Sequence, residues 1–259
     1  MLSEEDPVSA TKAATVERPG LQSSVAELVG TALLLAVVVG SGISAERLAQ
    51  GNIGLALLVN ALATGAGLVA LILAFGPMSG AHFNPAVTLV EAAAGRMRWK
   101  LAAAYIALQI AGAFAGVALA HAMYNEPLFS PSAHVRAGSG QLVSEGVATF
   151  GLLLTILSVA RWRPSAVPYA VGAYISSAYW FTASSSFANP AVTLARAATQ
   201  TFAGIRPMDV PGFVLAQLVG AAAAAVLFRW LSAADLPAVE GRHVHVVARI
   251  PARDGERAA

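Results

Sequence analysis

Cysteine is absent from all 259 residues, which excludes disulfides, thiolate metal sites and cysteine nucleophiles. Charge is scarce as well: Asp, Glu, Lys and Arg make up 12% of the chain, and the formal net charge is only +2. Most of the basic residues fall in loops and tails, so no nucleic-acid-binding face is expected. Neither HExxH nor GxSxG occurs, and no cluster of Asp and His replaces them, so no enzyme is expected. No signal peptide is expected, because the first twenty residues are acidic and polar where such a segment would be basic and then apolar. What is abundant is apolar sequence, 57% of the chain at a mean hydropathy of +0.66. That is too much for one aqueous core.

Runs long enough to span a bilayer, roughly 20 residues each, occur near 24–45, 53–75, 100–123, 141–160, 165–183 and 210–233. Residues 1–22 and 234–259 read as disordered tails around one membrane domain, 23–233. The His243–Val244–His245 string belongs to the second tail and is not read as a metal site. No metal or cofactor is expected anywhere in the chain.

Two short segments interrupt the spans and repeat one another. Ser79 to Leu89 reads SGAHFNPAVTL, and Ser184 to Leu194 reads SSSFANPAVTL. In each, Asn (Asn84, Asn189) is a strong N-cap residue. Proline (Pro85, Pro190) supplies the fixed φ of a first helical position, where its missing N–H costs nothing. Ala86 and Ala191 complete the two NPA triplets. Each segment is too short to cross and return as two full helices, so an extended loop entering and a short helix leaving is the economical reading. Non-helical backbone at that depth survives only where protein or a watery cavity satisfies it.

The halves match further. Glu27 in AELVGTALLL corresponds to Glu145 in SEGVATFGLL, and Gln109 in ALQIAGAFAG to Gln217 in AQLVGAAAAA. Three spans and a half-helix make an odd number of crossings, so repeat two (about 139–233) must be inverted relative to repeat one (about 23–123). Such repeats place a site at the midplane. Twelve basic residues lie on one side, Arg96, Arg98, Lys100, Arg161 and Arg163 among them, against Arg47, Arg136 and Arg206 on the other. This puts both termini in the cytoplasm by the positive-inside rule.

Taken together, SGAHFNPAVTL, the second NPA, the paired glutamates and the inverted duplication resemble the major intrinsic protein family of aquaporins and glycerol-type channels. The resemblance covers about residues 22–233. It implies an all-α membrane protein with six transmembrane helices and two re-entrant half-helices, assembled as a homotetramer in the plasma membrane. Asn84 and Asn189 would aim amide donors into a pore, beside carbonyls of Gly80, Ala81 and His82 and of Ser184, Ser185 and Ser186. Both half-helix dipoles would oppose cations and protons there. Glu27 and Glu145 would accept hydrogen bonds from the re-entrant loops, and His82 would brace one of them.

At the selectivity filter the chain departs from the family. Most members place Arg directly after the second NPA, and here that residue is Val192. Arg196 comes one helical turn later and does not share the position by sequence, which leaves it to reach toward the pore mouth or to brace a loop. Thr64 stands where water-selective members have Phe, Ser186 at the loop position, and either Ser177 or Tyr179 on span five where water channels have His. A wider, less charged opening is expected, passing small neutral solutes such as polyols and undissociated arsenite, with water. The alternatives are a water-selective channel, a proton-coupled transporter, and a junction-type member that conducts little.

Overall fold

The computed structural model describes residues 20–233. The readings of the outer tail residues, His243 and His245 included, lie outside this range. The boundary of the first tail shifts, because Gly20 to Gln22 already belong to a helix.

Among the described residues the chain forms eight α-helices and no strand. They are α1 (Gly20–Leu48), α2 (Ile53–Ser79), α3 (Pro85–Ala93), α4 (Trp99–Tyr124), α5 (Ser139–Trp162), α6 (Val167–Phe181), α7 (Pro190–Arg196) and α8 (Val210–Ala233). Five are long and apolar enough to cross a membrane: α1, α2, α4, α5 and α8, the last counted from Pro207. The fifth expected span, 165–183, is shorter than the others at 15 residues. A 3-10 turn at Pro164–Ala166 leads into it. At roughly 1.5 Å per helical residue and 2.0 Å in the turn, the two together still reach close to the thickness of a bilayer core.

Packing follows the duplication. In the first half α1 packs against α2 and α4, and in the second α5 packs against α6 and α8. The halves join where α2 crosses α6 and where α3 meets α7. Both α1–α4 and α5–α8 depend on a glycine at the same place. A β-carbon on Gly112 would overlap the Leu28 carbonyl oxygen, and one on Gly220 would overlap that of Gly146. Small residues let apolar helices approach this closely in lipid, where no hydrophobic force drives them together.

The outer surface is apolar, with Leu62, Val143, Leu215 and Val226 among the well-exposed side chains. All four tryptophans are more than half exposed, and each stands near a helix end: Trp99, Trp162, Trp180 and Trp230. Amphipathic rings gather at such levels because they suit the headgroup boundary.

Candidate functional site

The two NPA loops are built by one set of contacts used twice. After α2, Gly80 takes a left-handed conformation, followed by Ala81 and Phe83 at positive φ. In the second loop Ser185, Ser186 and Ala188 do the same. A non-glycine residue there costs on the order of 1–3 kcal/mol and persists only when its surroundings demand it. The glutamates impose that demand. Glu27 accepts hydrogen bonds from the backbone N–H of His82 (2.9 Å) and Phe83 (2.7 Å), from Ser79 Oγ and from Gln109 Nε2. Glu145 accepts from Phe187 and Ala188 N–H (both 2.9 Å) and from Gln217 Nε2. Each glutamine also donates to the threonine of its own half-helix, Thr88 or Thr193. Both carboxylates are fully buried, where an unpaired ion would be prohibitive.

Asn84 and Asn189 do more than cap. Asn84 Oδ1 accepts from Ala86 N–H, and Asn189 Oδ1 from Ala191 and Val192 N–H. Each side chain then reaches across the pseudo-twofold axis. Asn84 Nδ2 donates to the Ala188 carbonyl at 2.8 Å, and Asn189 Nδ2 to that of Phe83 at 2.7 Å. Each asparagine thus ties its own helix start to the backbone just before the other asparagine. The sequence indicated two donors facing a pore; this reciprocal lock depends on a tertiary contact and carries no local signal.

A cavity of about 590 Å³ runs past both asparagines. At one end its wall includes Gly76, Pro77, Glu91 and Pro164, and at the other Thr64, Tyr179, Ser186, Val192 and Arg196. Gly80, Ala81 and His82 border it, as does Val87, which occupies in the first repeat the place Val192 has in the second. Ser184 and Ser185 are not on this wall. The Ser184 carbonyl accepts from Arg136, and the Ser184 hydroxyl accepts from Ser186 N–H.

Of the two residues left open on span five, Tyr179 faces the cavity and its hydroxyl meets Thr64 Oγ1 at 3.2 Å. Ser177 is exposed on another face of α6, bonded to the Tyr174 carbonyl. His82 pairs through Nδ1 with Thr88 Oγ1 and lies edge-on to Tyr105.

One expectation needs correction. With Val192 in the filter, the wall was expected to carry less charge, yet Arg196 is 3% exposed and stands on the cavity wall. Side chains on a helix lean toward its N-terminus, and a long one recovers the turn that separates residue 196 from residue 192. Arg136, from the loop between α4 and α5, is a residue that sequence reasoning counted only as a loop cation. It donates to the carbonyls of Gly204 and Ser184, with its guanidinium 4.9 Å from the Phe187 ring centre.

A largely apolar cavity crossed by a few polar groups, Asn84, Asn189, Thr64 and Arg196 among them, lies between two inverted halves inside a shell of apolar helices, and defines a membrane channel of the re-entrant half-helix type. The major intrinsic protein family model matches residues 13–177. The chain is 58% identical over 207 residues to Aquaglyceroporin AqpS of Rhizobium meliloti, spanning 80% of this chain and 88% of that protein. It is 43% identical over 94 residues to Aquaporin Z of Rhodopseudomonas palustris, which is 36% of this chain and 38% of that one. Among solved structures, the aquaglyceroporin from Plasmodium falciparum shares the fold at a TM-score of 0.63 and 20% identity, over 82% of this chain and 95% of that one. The chain belongs to the major intrinsic protein family. It is a multi-pass membrane channel for small solutes and not an enzyme.

Proposed function

We propose that this channel passes small uncharged solutes, glycerol-like polyols and undissociated arsenite among them, together with water. The observation that carries the reading is the make-up of the cavity wall around Thr64. Thr64, Tyr179, Ser186 and Val192 offer hydroxyls beside an aliphatic face and no bulky ring from α2. Selectivity in such pores comes down to diameter and to the donors and acceptors on the wall. A polyol needs both a hydroxyl-bonding side and an apolar side. Left-handed residues at Ala81, Phe83, Ser186 and Ala188 favour a carbonyl ladder, because a regular strand would alternate its carbonyls between two sides.

The asparagines at the crossing and the inward ends of α3 and α7 oppose cations and protons. Passage is passive; apart from the two engaged glutamates, few acidic groups are available to couple flux to an ion. The proposal also places the protein in the plasma membrane, with both termini cytoplasmic by the distribution of basic residues. A homotetramer with one pore per subunit is supported by family membership alone.

The test is a solute panel of water, glycerol, urea and arsenite in proteoliposomes, on the wild type and on Val192→Arg. The variant adds a second guanidinium to the cavity wall, so solute flux should fall by about tenfold or more while water flux is largely spared. Unchanged solute flux would remove Val192 from the filter.

A further inference from the structure

We infer that Arg196 supplies the cation of the selectivity filter from outside the usual register, folding back along α7 so that its guanidinium stands in the pore as a fixed hydrogen-bond donor. The inference rests on the proposed function above and names the group that selects among its solutes.

Three observations carry it. Arg196 and Glu91 are the only formally charged residues on the cavity wall among the described residues. Each stands seven residues after its asparagine, so they occupy equivalent places in the two repeats with opposite sign. Glu91 is neutralised from outside by Arg96, whose Nε and Nη2 each lie 2.7 Å from a carboxylate oxygen. Arg196 takes part in none of the ion pairs among the described residues.

The way it is held leaves its far end free. Nε donates to the Ala203 carbonyl. The guanidinium lies 3.4 Å from the centre of the Phe187 ring, and that ring is backed by Phe213. These contacts fix the plane of the group but account for only one of its donors. No hydrogen bond engages the two terminal nitrogens among the described residues, although the residue is buried. A buried cation with unpaired donors is costly unless something polar reaches it, and the cavity is the space through which water or solute can. Oxygen-rich neutral solutes are the partners such a planar fork suits, since it offers donors only. Arg136 is a positioning residue: bonded to Gly204 and Ser184, it sits over the same ring.

The chain has no native cysteine, so Arg196→Cys creates a single thiol. In proteoliposomes this variant should alter the glycerol-to-water permeability ratio by about tenfold, the worth of a charge-assisted hydrogen bond, and should admit a proton or potassium leak. A methanethiosulfonate carrying an ethylammonium group should label the thiol through the pore, more slowly in concentrated glycerol, and should reduce the leak. A folded, conducting variant that stays unlabelled and keeps wild-type ratios would overturn the inference. If the cysteine variant does not fold, Arg196→Lys decides: it should exclude cations yet shift the solute ratios, because an ammonium cannot spread over Phe187. Wild-type ratios in that variant would equally overturn it. Wild-type liposomes that pass no solute would defeat the proposed function; a conducting wild type with indifferent Arg196 variants would defeat this inference alone.

Discussion

The two NPA loops are alike where they are held and different where they meet the two ends of the pore. Both are pinned by a buried glutamate, a glutamine and a half-helix threonine, and both asparagines cross to the opposite backbone. The residue two before each asparagine differs: His82 bonds Thr88, whereas Phe187 lies under Arg196 and near Arg136. Phe83 fills a notch that exists because α1 has Gly30, where a β-carbon would run into its ring. Duplicated contacts make the scaffold, and the departures from duplication fall on the solute path.

Breaking the shared part should do the most damage. Glu27→Ala removes an acceptor from four donors, and Glu145→Ala from three. Each buried donor left unsatisfied costs about 1–3 kcal/mol. Neither variant should yield monodisperse protein in detergent, with Glu27→Ala the worse of the two. Size-exclusion profiles of the pair would check both the loss and its order.

Asn84→Ala and Asn189→Ala should do less, and nearly equal, harm. Each loses a cap worth about 1 kcal/mol and one cross-axis bond of similar size. A fall in melting temperature that is the same for both would sharpen the likeness of the loops. A large difference would show that one half carries the other.

The smallest effect tests the loop between α4 and α5 alone. Burial lowers the His134 pKa from its ordinary 6.5, with the charges of Arg136 and Arg196 acting in the same direction and Glu46 against them. A base lowered in this way binds fewer protons folded than unfolded between the two values. Its contribution to stability is therefore complete above pH 6.5 and declines as pH falls toward the lower, folded value. His134 is largely exposed, so the slope should be slight. Thermal melts from pH 7.5 to 5 should show a smaller slope in His134→Gln than in the wild type.

Much of the scaffold was legible beforehand because it depends on local rules. Apolar runs marked the spans, Asn–Pro marked two helix starts, and matched glutamates and glutamines revealed the duplication. The short α6 was harder, since its 3-10 entry at Pro164–Ala166 continues the apolar run without continuing the α-helix. Tyr179 could not be separated from Ser177 without the rotation of α6. Arg136 reaches the site from a loop whose path has no periodic pattern. Arg196 was left between two readings, reaching toward the pore mouth or bracing a loop, because a sequence does not show which way a long side chain folds. A trace was present all the same, in the mismatch of Glu91 with Arg196 between otherwise matched half-helices.

The central claim, a passive thread through two mirrored loops, is tested most directly by stopped-flow glycerol uptake into proteoliposomes, with and without an imposed proton gradient. The account predicts flux that rises in proportion to the glycerol difference and is the same in both conditions. Flux that saturates and follows the proton gradient, or no flux above empty liposomes, would contradict it.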